Sequence, residues 1–251
     1  MNKKVGETKN NTYGSVMIIT RYRNNRDVDI YFPEYNWTAH RVHYSSFTRG
    51  SLKCPYERRT YGIGYLGEGQ YKTCEDGRNT KAYDAWVRAL ERCYDPKYHA
   101  KHPTYRGCQM CQDWHNFQNF ASWFDANYYE IPGQTMAIDK DILYKGNKIY
   151  SPGTCAYVSQ DLNKLFTKRD ACRNGLPVGV HYDARLNKYA AQCNEDGVKR
   201  YLGRYNTPDE AFQAYKLFKE AYIKRMANLY RQYLPLNVYQ AMIDYKVEKY
   251  D

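Results

Sequence analysis

Three oxygen-bearing side chains in the middle of the chain, Asp139, Asp141 and Asn163, have types and a spacing that could support chemistry. Residues 136–166 read as a short strand ending in the two aspartates, a polar Gly-Asn turn, an extended piece and a helix. We expect this order to bring a carboxylate close to a side-chain amide two turns into the helix. Hard cations such as magnesium prefer oxygen ligands, and a cation held this way stabilises the leaving oxygen of a phosphodiester. The segment predicts a nuclease site; the alternative is a solvated hairpin turn, because Asp, Asn and Gly are turn formers.

A family resemblance rests on a short set of residues in this segment. They are Asp139-Lys140-Asp141, Asn147, Tyr150, Ser151-Pro152 and Cys155. In these residues the chain resembles phage HNH endonucleases, the ββα-metal nucleases. The resemblance implies that Asp139 and Asn163 bind one divalent cation, magnesium or another, and that Asp141 supports the site or shares the metal.

Lys140 stands where the HNH family usually has its general base, a histidine. An ordinary lysine is protonated at neutral pH and is a poor base, so we expect Lys140 to contact phosphate and stabilise its developing charge. The base would then be a metal-bound water or another residue, with His115 as a minor candidate. The alternative is a DNA-binding protein that keeps the HNH scaffold without cutting.

The C-terminal third predicts a three-stranded antiparallel sheet packed on a long helix. Residues 178–182, 188–194 and 198–205 are extended or alternating, and Asp196-Gly197 between two such runs is a strong hairpin signal. Thr207 is followed by Pro and, three residues on, by Glu210, which predicts a helix N-terminus. One sheet face should pack against this helix, and the other is expected to carry five cations and no acid. These cations are Arg185, Lys188, Lys199, Arg200 and Arg204.

The same region shares a pattern of residues with a known DNA-binding domain. The matching residues are Gly179-Val180, Lys188-Tyr189-Ala190-Ala191, Leu202-Gly203, Thr207, Glu210-Ala211 and Ala214-Tyr215. They resemble the APETALA2-type domain, which implies that the basic sheet face binds double-stranded DNA. Arg200 and Arg204 are expected to contribute most to this binding. The alternative is an ordinary solvated face.

Length and composition are consistent with a nucleic-acid partner. The chain has 251 residues, which suits two or three small modules. Its net charge of +11 favours a polyanion. An RNA-binding or protein-binding phage factor would also fit this charge, but it would not fit the C-terminal sheet pattern. No apolar run approaches 18 residues and the first residues are polar, so we expect no membrane span, no signal peptide and a cytoplasmic location in a bacterial host.

Eight cysteines require an explanation inside a reducing compartment, where thiols and metal ligands are commoner than disulfides. Cys108 and Cys111 form a Cys-x-x-Cys pair that could hold a structural zinc, which requires four ligands. The candidate companions are Cys93, His99, His102 and Cys155. The alternative is buried apolar thiols.

The whole chain is therefore expected to be an α+β protein with three modules. A small N-terminal β-sheet module should occupy residues 1–60, with residues 1–12 frayed and strands from Met17 onward. An HNH-like module with flanking helices over residues 81–94 and 113–128, the second capped by Asp113, should occupy residues 61–173. The APETALA2-like domain with a helical extension should occupy residues 174–251, after a linker at 174–177.

Overall fold

The computed structural model of the chain describes residues 3–166 and 175–249. It has the mixed α+β architecture that was expected, with several small sheets. The chain divides into two compact units, residues 1–126 and residues 127–251. Cys172 and Asn174, the first residue of the expected linker at 174–177, lie outside the described residues. No helix in the described ranges has both the length and the apolar character needed to cross a membrane.

The first unit opens with a four-stranded antiparallel sheet in the order β1-β2-β3-β4. Its strands are β1 (Thr8–Asn10), β2 (Val16–Asn24), β3 (Asp27–Phe32) and β4 (Trp37–Val42), followed by helix α1 (Tyr44–Arg49). The expectation that residues 1–12 are frayed is wrong for residues 8–10, because β1 pairs with β2. All three β1 residues are exposed, so this edge strand is held by backbone hydrogen bonds and shows no alternating apolar pattern.

The rest of the first unit is built around two helices that pack through aromatic side chains. Its elements are β5 (Cys74–Glu75), β6 (Arg78–Asn79), α2 (Lys81–Tyr94), α3 (Pro96–Lys101), β7 (Gln109–Met110) and α4 (Phe117–Asn127). The buried Trp86 indole of α2 donates a hydrogen bond to the Trp114 carbonyl at 2.7 Å and packs against Phe117 of α4. Asp113 does not cap α4, because a 3₁₀ turn covers residues 112–115 and the Asn116 side chain accepts the Gln118 N–H.

The second unit begins with a ββα arrangement. Its elements are β8 (Met136–Asp139), β9 (Ile149–Tyr150), β10 (Ala156–Ser159) and α5 (Gln160–Lys164). Strands β8 and β10 are antiparallel, with Asp139 opposite Ala156, and α5 packs against both strands. The buried Ser159 hydroxyl accepts the Leu162 N–H and so caps α5.

The C-terminal sheet and its helix form as the sequence predicts. The sheet has the order β11 (Val180–Asp183), β12 (Lys188–Glu195) and β13 (Val198–Tyr205), and it is followed by α6 (Pro208–Leu229) and α7 (Leu236–Ile243). Asp196 and Gly197 both have positive φ, as a type I′ hairpin turn requires. Thr207 and Glu210 form a complete capping box at the start of α6.

Helix α6 belongs to two hydrophobic cores at once. Near its N-terminus, Ala211, Phe212 and Tyr215 pack against the three-stranded sheet. Near its C-terminus, Ile223 and Met226 enter a core shared with β10, α5 and α7. The ββα arrangement and the three-stranded sheet are therefore parts of one compact unit, and a common helix joins them.

Candidate active site and nucleic-acid interface

Asp139, the last residue of β8, has one carboxylate oxygen committed to the backbone and one available. Its Oδ1 accepts the N–H groups of Asp141 at 2.8 Å and Ile142 at 2.6 Å. Within the described ranges Oδ2 accepts no hydrogen bond. Burial raises the pKa of Asp139, and the nearby Asp141 carboxylate adds to this, while the two N–H groups act in the opposite direction. Such a carboxylate is held rigidly and presents one oxygen that could bind a cation.

Lys140 is turned into the loop that follows β8. The residue is 7% exposed, and its ammonium group donates to Asp141 Oδ2 at 2.6 Å and to the Asn147 carbonyl at 2.7 Å. The Asn147 side chain donates in return to the Lys140 carbonyl at 2.9 Å. At least two of the three ammonium donors therefore close the loop, and the phosphate contact of Lys140 stays a prediction.

Asn163 lies on α5, but that helix has five residues, so Asn163 sits within the first turn and not two turns in. Its side chain is half-buried and makes no hydrogen bond to any residue that the structure describes. Helix α5, which carries Asn163, packs against β8, the strand that ends at Asp139. A carboxylate oxygen and an amide oxygen without competing partners fit a hard cation that keeps several waters.

Asp141 is the more exposed of the two aspartates, with 44% of its side chain accessible. One Asp141 oxygen accepts a hydrogen bond from the Lys140 ammonium, and this contact stabilises the loop that follows β8. Among the described residues, no three or more His, Cys, Asp or Glu side chains converge as they would in a closed metal site. A cation at Asp139 and Asn163 would therefore complete its shell with water or phosphate oxygens.

The cysteine pair of the first unit flanks strand β7. Cys108 is buried and Cys111 is half-buried, and burial raises the pKa of the Cys111 thiol. The His99 ring contacts the Arg92 carbonyl at 2.8 Å. Cys155, in the second unit, is a core thiol whose pKa is raised to about 12 by burial. The described part of the chain thus gathers no four-ligand set for zinc, and the zinc proposal rests on the Cys-x-x-Cys spacing alone.

A β-bulge decides which face of the C-terminal sheet each cation occupies. Ala191 pairs with Gly203 and Gln192 pairs with Tyr201, so Leu202 is an extra residue in β13. Gly203 has a φ of +128°, which a side-chain-bearing residue rarely adopts. Because side chains alternate along a strand, one extra residue moves every side chain beyond it to the opposite face of the sheet.

The face of the sheet that does not pack on α6, called the open face below, is defined by the strand register. Its residues are His181, Asp183, Lys188, Ala190, Gln192, Asn194, Lys199, Tyr201 and Arg204. Tyr201 is 54% exposed, and the Arg204 guanidinium lies 5.4 Å from the centre of its ring. Three of these residues, Gln192, Asn194 and Tyr201, are missing from the cation face that the sequence predicted. Gln192 and Asn194 follow from alternation with Lys188 along β12, whereas the face of Tyr201 depends on the bulge at Leu202.

Two parts of the expected cation face are wrong. Arg200 pairs with Cys193, which faces α6, and its Nε donates to the buried Glu195 at 2.6 Å. An acid also lies on the open face, since Asp183 accepts a hydrogen bond from Arg204 at 3.1 Å. Lys188 and Lys199 remain on the open face as expected, and the exposed Arg185 lies in the turn between β11 and β12.

Glu195 connects the sheet to α6. It accepts hydrogen bonds from Arg225 of α6 and from Arg200 of β13. These two guanidinium groups hold the pKa of Glu195 below its ordinary value, and Arg225 has the larger effect. Arg200 is therefore part of an ion-pair cluster between the sheet and α6, although more than half of its side chain is exposed.

Comparison of the chain with protein-family models, with curated proteins and with solved structures found no match.

Proposed function

We propose that this protein is a divalent-cation-dependent DNA endonuclease that binds double-stranded DNA through the open face of its C-terminal sheet. The observation that carries the proposal is that Asp139 ends β8 and that Asn163 lies on α5, the helix that packs against β8. Both side chains offer oxygen, and neither oxygen is committed to a described residue beyond the Asp139 Oδ1 contacts.

The residues of this chain support distinct parts of the reaction. Asp139 and Asn163 would hold the cation, which when bound would neutralise the scissile phosphate and stabilise the leaving oxygen. Lys140 and Asn147 keep the loop between β8 and β9 closed, so that the Asp139 carboxylate stays in one position. Asp141 orients the Lys140 ammonium.

The residues of the open face support the proposal that the protein binds DNA before it cleaves. A two- or three-stranded sheet can enter the major groove of DNA. Lys188, Lys199 and Arg204 supply cations there, and Gln192 and Asn194 supply amides of the kind that read base edges. The partly exposed Asp183 offsets one of the cations, so the net positive charge is smaller than the sequence alone suggests.

A second candidate function is DNA binding without cleavage. It is favoured by Lys140, because the position where the HNH family usually has its general base is filled by a buried ammonium that is paired with Asp141. Cleavage would then depend on a metal-bound water or on another base.

One experiment separates the two candidates. Supercoiled plasmid and phage DNA are incubated with purified protein and magnesium or manganese, or with chelator, and a gel-shift assay is run in parallel. Nicked or linear DNA that appears only with the cation supports the endonuclease. Retarded but uncut DNA with every cation supports the binding-only alternative, and the absence of both excludes the proposed function.

A further inference from the structure

An exposed tyrosine of the first unit is surrounded by cations in a way that the proposed function does not use. The Tyr13 ring is 50% exposed. The Arg59 guanidinium lies 4.8 Å from the centre of this ring, and the Lys53 ammonium lies 5.7 Å from it. Hydrogen bonding with Arg59, and then with Lys53, lowers the pKa of the Tyr13 hydroxyl. Two positive groups therefore lie against one exposed tyrosine ring.

The loop that carries Tyr13 is rigidly built. The buried Asn11 side chain accepts the N–H groups of Tyr13 at 3.0 Å and Ser15 at 2.9 Å, and it donates to the Leu52 carbonyl at 3.0 Å. Asn11 also donates to the carboxylate of Glu57, which is 3% exposed. The position of Tyr13 is therefore fixed from beneath by a buried polar network.

The same network holds Arg59. The other oxygen of Glu57 lies 3.4 Å from Arg59 Nε, and the Arg59 N–H donates to the Glu57 carbonyl at 2.9 Å. One buried carboxylate thus anchors both the tyrosine loop and the guanidinium. This arrangement orients the groups before any ligand arrives, which reduces the entropy lost on binding.

Further exposed cations lie along the neighbouring chain segment. The Lys9 ammonium donates to the Thr48 carbonyl, and Arg49 is exposed in the last turn of α1. The Thr12 N–H donates to the Gly50 carbonyl, which brings the Tyr13 loop beside this turn. A row of cations that extends beyond one anchoring point matches a repeating polyanion better than a single anion.

We propose that Tyr13, Lys53 and Arg59 form a binding site for a backbone phosphate of DNA, with Lys9 and Arg49 extending the contact along the strand. A hydroxyl, an ammonium and a guanidinium together offer donors to the oxygens of one phosphate. The site goes beyond the proposed function, because no residue of the first unit takes part in that function. The proposed site and the proposed function share only the polyanionic partner.

The test uses the full-length chain labelled with ¹⁵N. We expect a 16-base-pair DNA duplex to shift the amide resonances of Thr12, Tyr13 and Gly14, and inorganic phosphate to shift them weakly at higher concentration. DNA shifts confined to the C-terminal sheet would overturn this site while leaving the proposed function intact. Absence of DNA shifts at the Tyr13 loop, whatever happens at the sheet, also overturns it. An acidic peptide that shifts the loop when DNA does not would indicate a protein partner instead.

The variant Lys53→Gln and its control Lys97→Gln provide the second measurement. Both lysines are exposed, and Lys97 lies on α3. Lys53→Gln should weaken DNA binding several-fold and lower the slope of affinity against salt by about one unit, whereas Lys97→Gln should leave the slope unchanged. Equal slopes for the two variants overturn the proposal. Arg59 is a poorer choice for substitution, because its loss would leave the buried Glu57 unpaired.

Discussion

Arg200 and Arg204 lie on the same strand, β13, yet they point to opposite faces of the C-terminal sheet. The extra residue Leu202 between them shifts the register, so Arg204 pairs with Ala190 on the open face and Arg200 pairs with Cys193 on the helix side. Their carboxylate partners differ accordingly, since Arg204 contacts Asp183 and Arg200 contacts Glu195. Two residues that look equivalent in the sequence should therefore have different roles.

We predict that Arg204→Gln weakens duplex binding and that Arg200→Gln does not. Loss of a base-reading arginine costs about 1–3 kcal/mol of binding free energy, and loss of a phosphate contact lowers the salt slope by about one unit. Fluorescence anisotropy across a salt series measures both quantities. Asp183→Asn should strengthen binding, because it removes the acid from the open face. Equal losses for the two arginine variants would contradict the assignment of faces.

We predict that Asp139→Asn abolishes cation-dependent cleavage and leaves DNA affinity nearly unchanged. The asparagine Oδ1 can still accept the N–H groups of Asp141 and Ile142, so the loop should persist while the charge needed by the cation is lost. We expect a loss of more than about 100-fold, because removing even the partners behind a metal ligand costs about 10–100-fold. The control is Asp161→Asn, an exposed carboxylate on α5. Cleavage at the wild-type rate by Asp139→Asn would remove Asp139 from the site.

We predict that Lys140→Met destabilises the second unit. Its ammonium closes the loop by bonding to Asp141 and to the Asn147 carbonyl, and its removal leaves a carbonyl without its partner. The expected loss is about 1–3 kcal/mol of unfolding free energy. Chemical denaturation of this variant and of Lys164→Met, whose ammonium is exposed, measures the difference. Unchanged stability with lost cleavage would instead support a direct phosphate contact by Lys140.

We predict that Glu195→Gln destabilises the protein at neutral pH and that the difference from wild type disappears in acid. Because Arg225 and Arg200 lower the pKa of Glu195, its contribution is fully present above the ordinary value of 4.5. The contribution is lost as the pH falls from 4.5 through the lower pKa of the folded state. Melting temperatures of both proteins between pH 7 and pH 3 check this sign. A difference that grows as the pH falls would contradict it.

We predict that Cys108 and Cys111 are thiols and not zinc ligands. The reason is that, among the described residues, no third or fourth metal-binding side chain joins this pair, whereas a structural zinc needs four ligands. Metal analysis of the purified protein should find well under one zinc per chain, and chelator should leave the melting temperature unchanged. One zinc per chain, with a fold that loosens in chelator, would establish the zinc site.

Local sequence determined the parts of the fold that depend on near neighbours. Asp196 and Gly197 specify a hairpin because both positions need positive φ, and Thr207 and Glu210 start α6 because their side chains bond to each other's backbone. The order of strand, turn, strand and helix around Asp139 also followed from the chain alone. These features need only interactions between residues that are close in sequence.

Tertiary structure decided what depends on distant partners. Strand β1 forms because the edge of β2 is open to pairing. Its three exposed residues show no alternating apolar pattern that would predict a strand. Helix α6 serves two cores because apolar residues at its two ends meet different partners. The bulge at Leu202 reverses the face of Arg200, and its position is set by pairing across the sheet, which the sequence of β13 does not reveal.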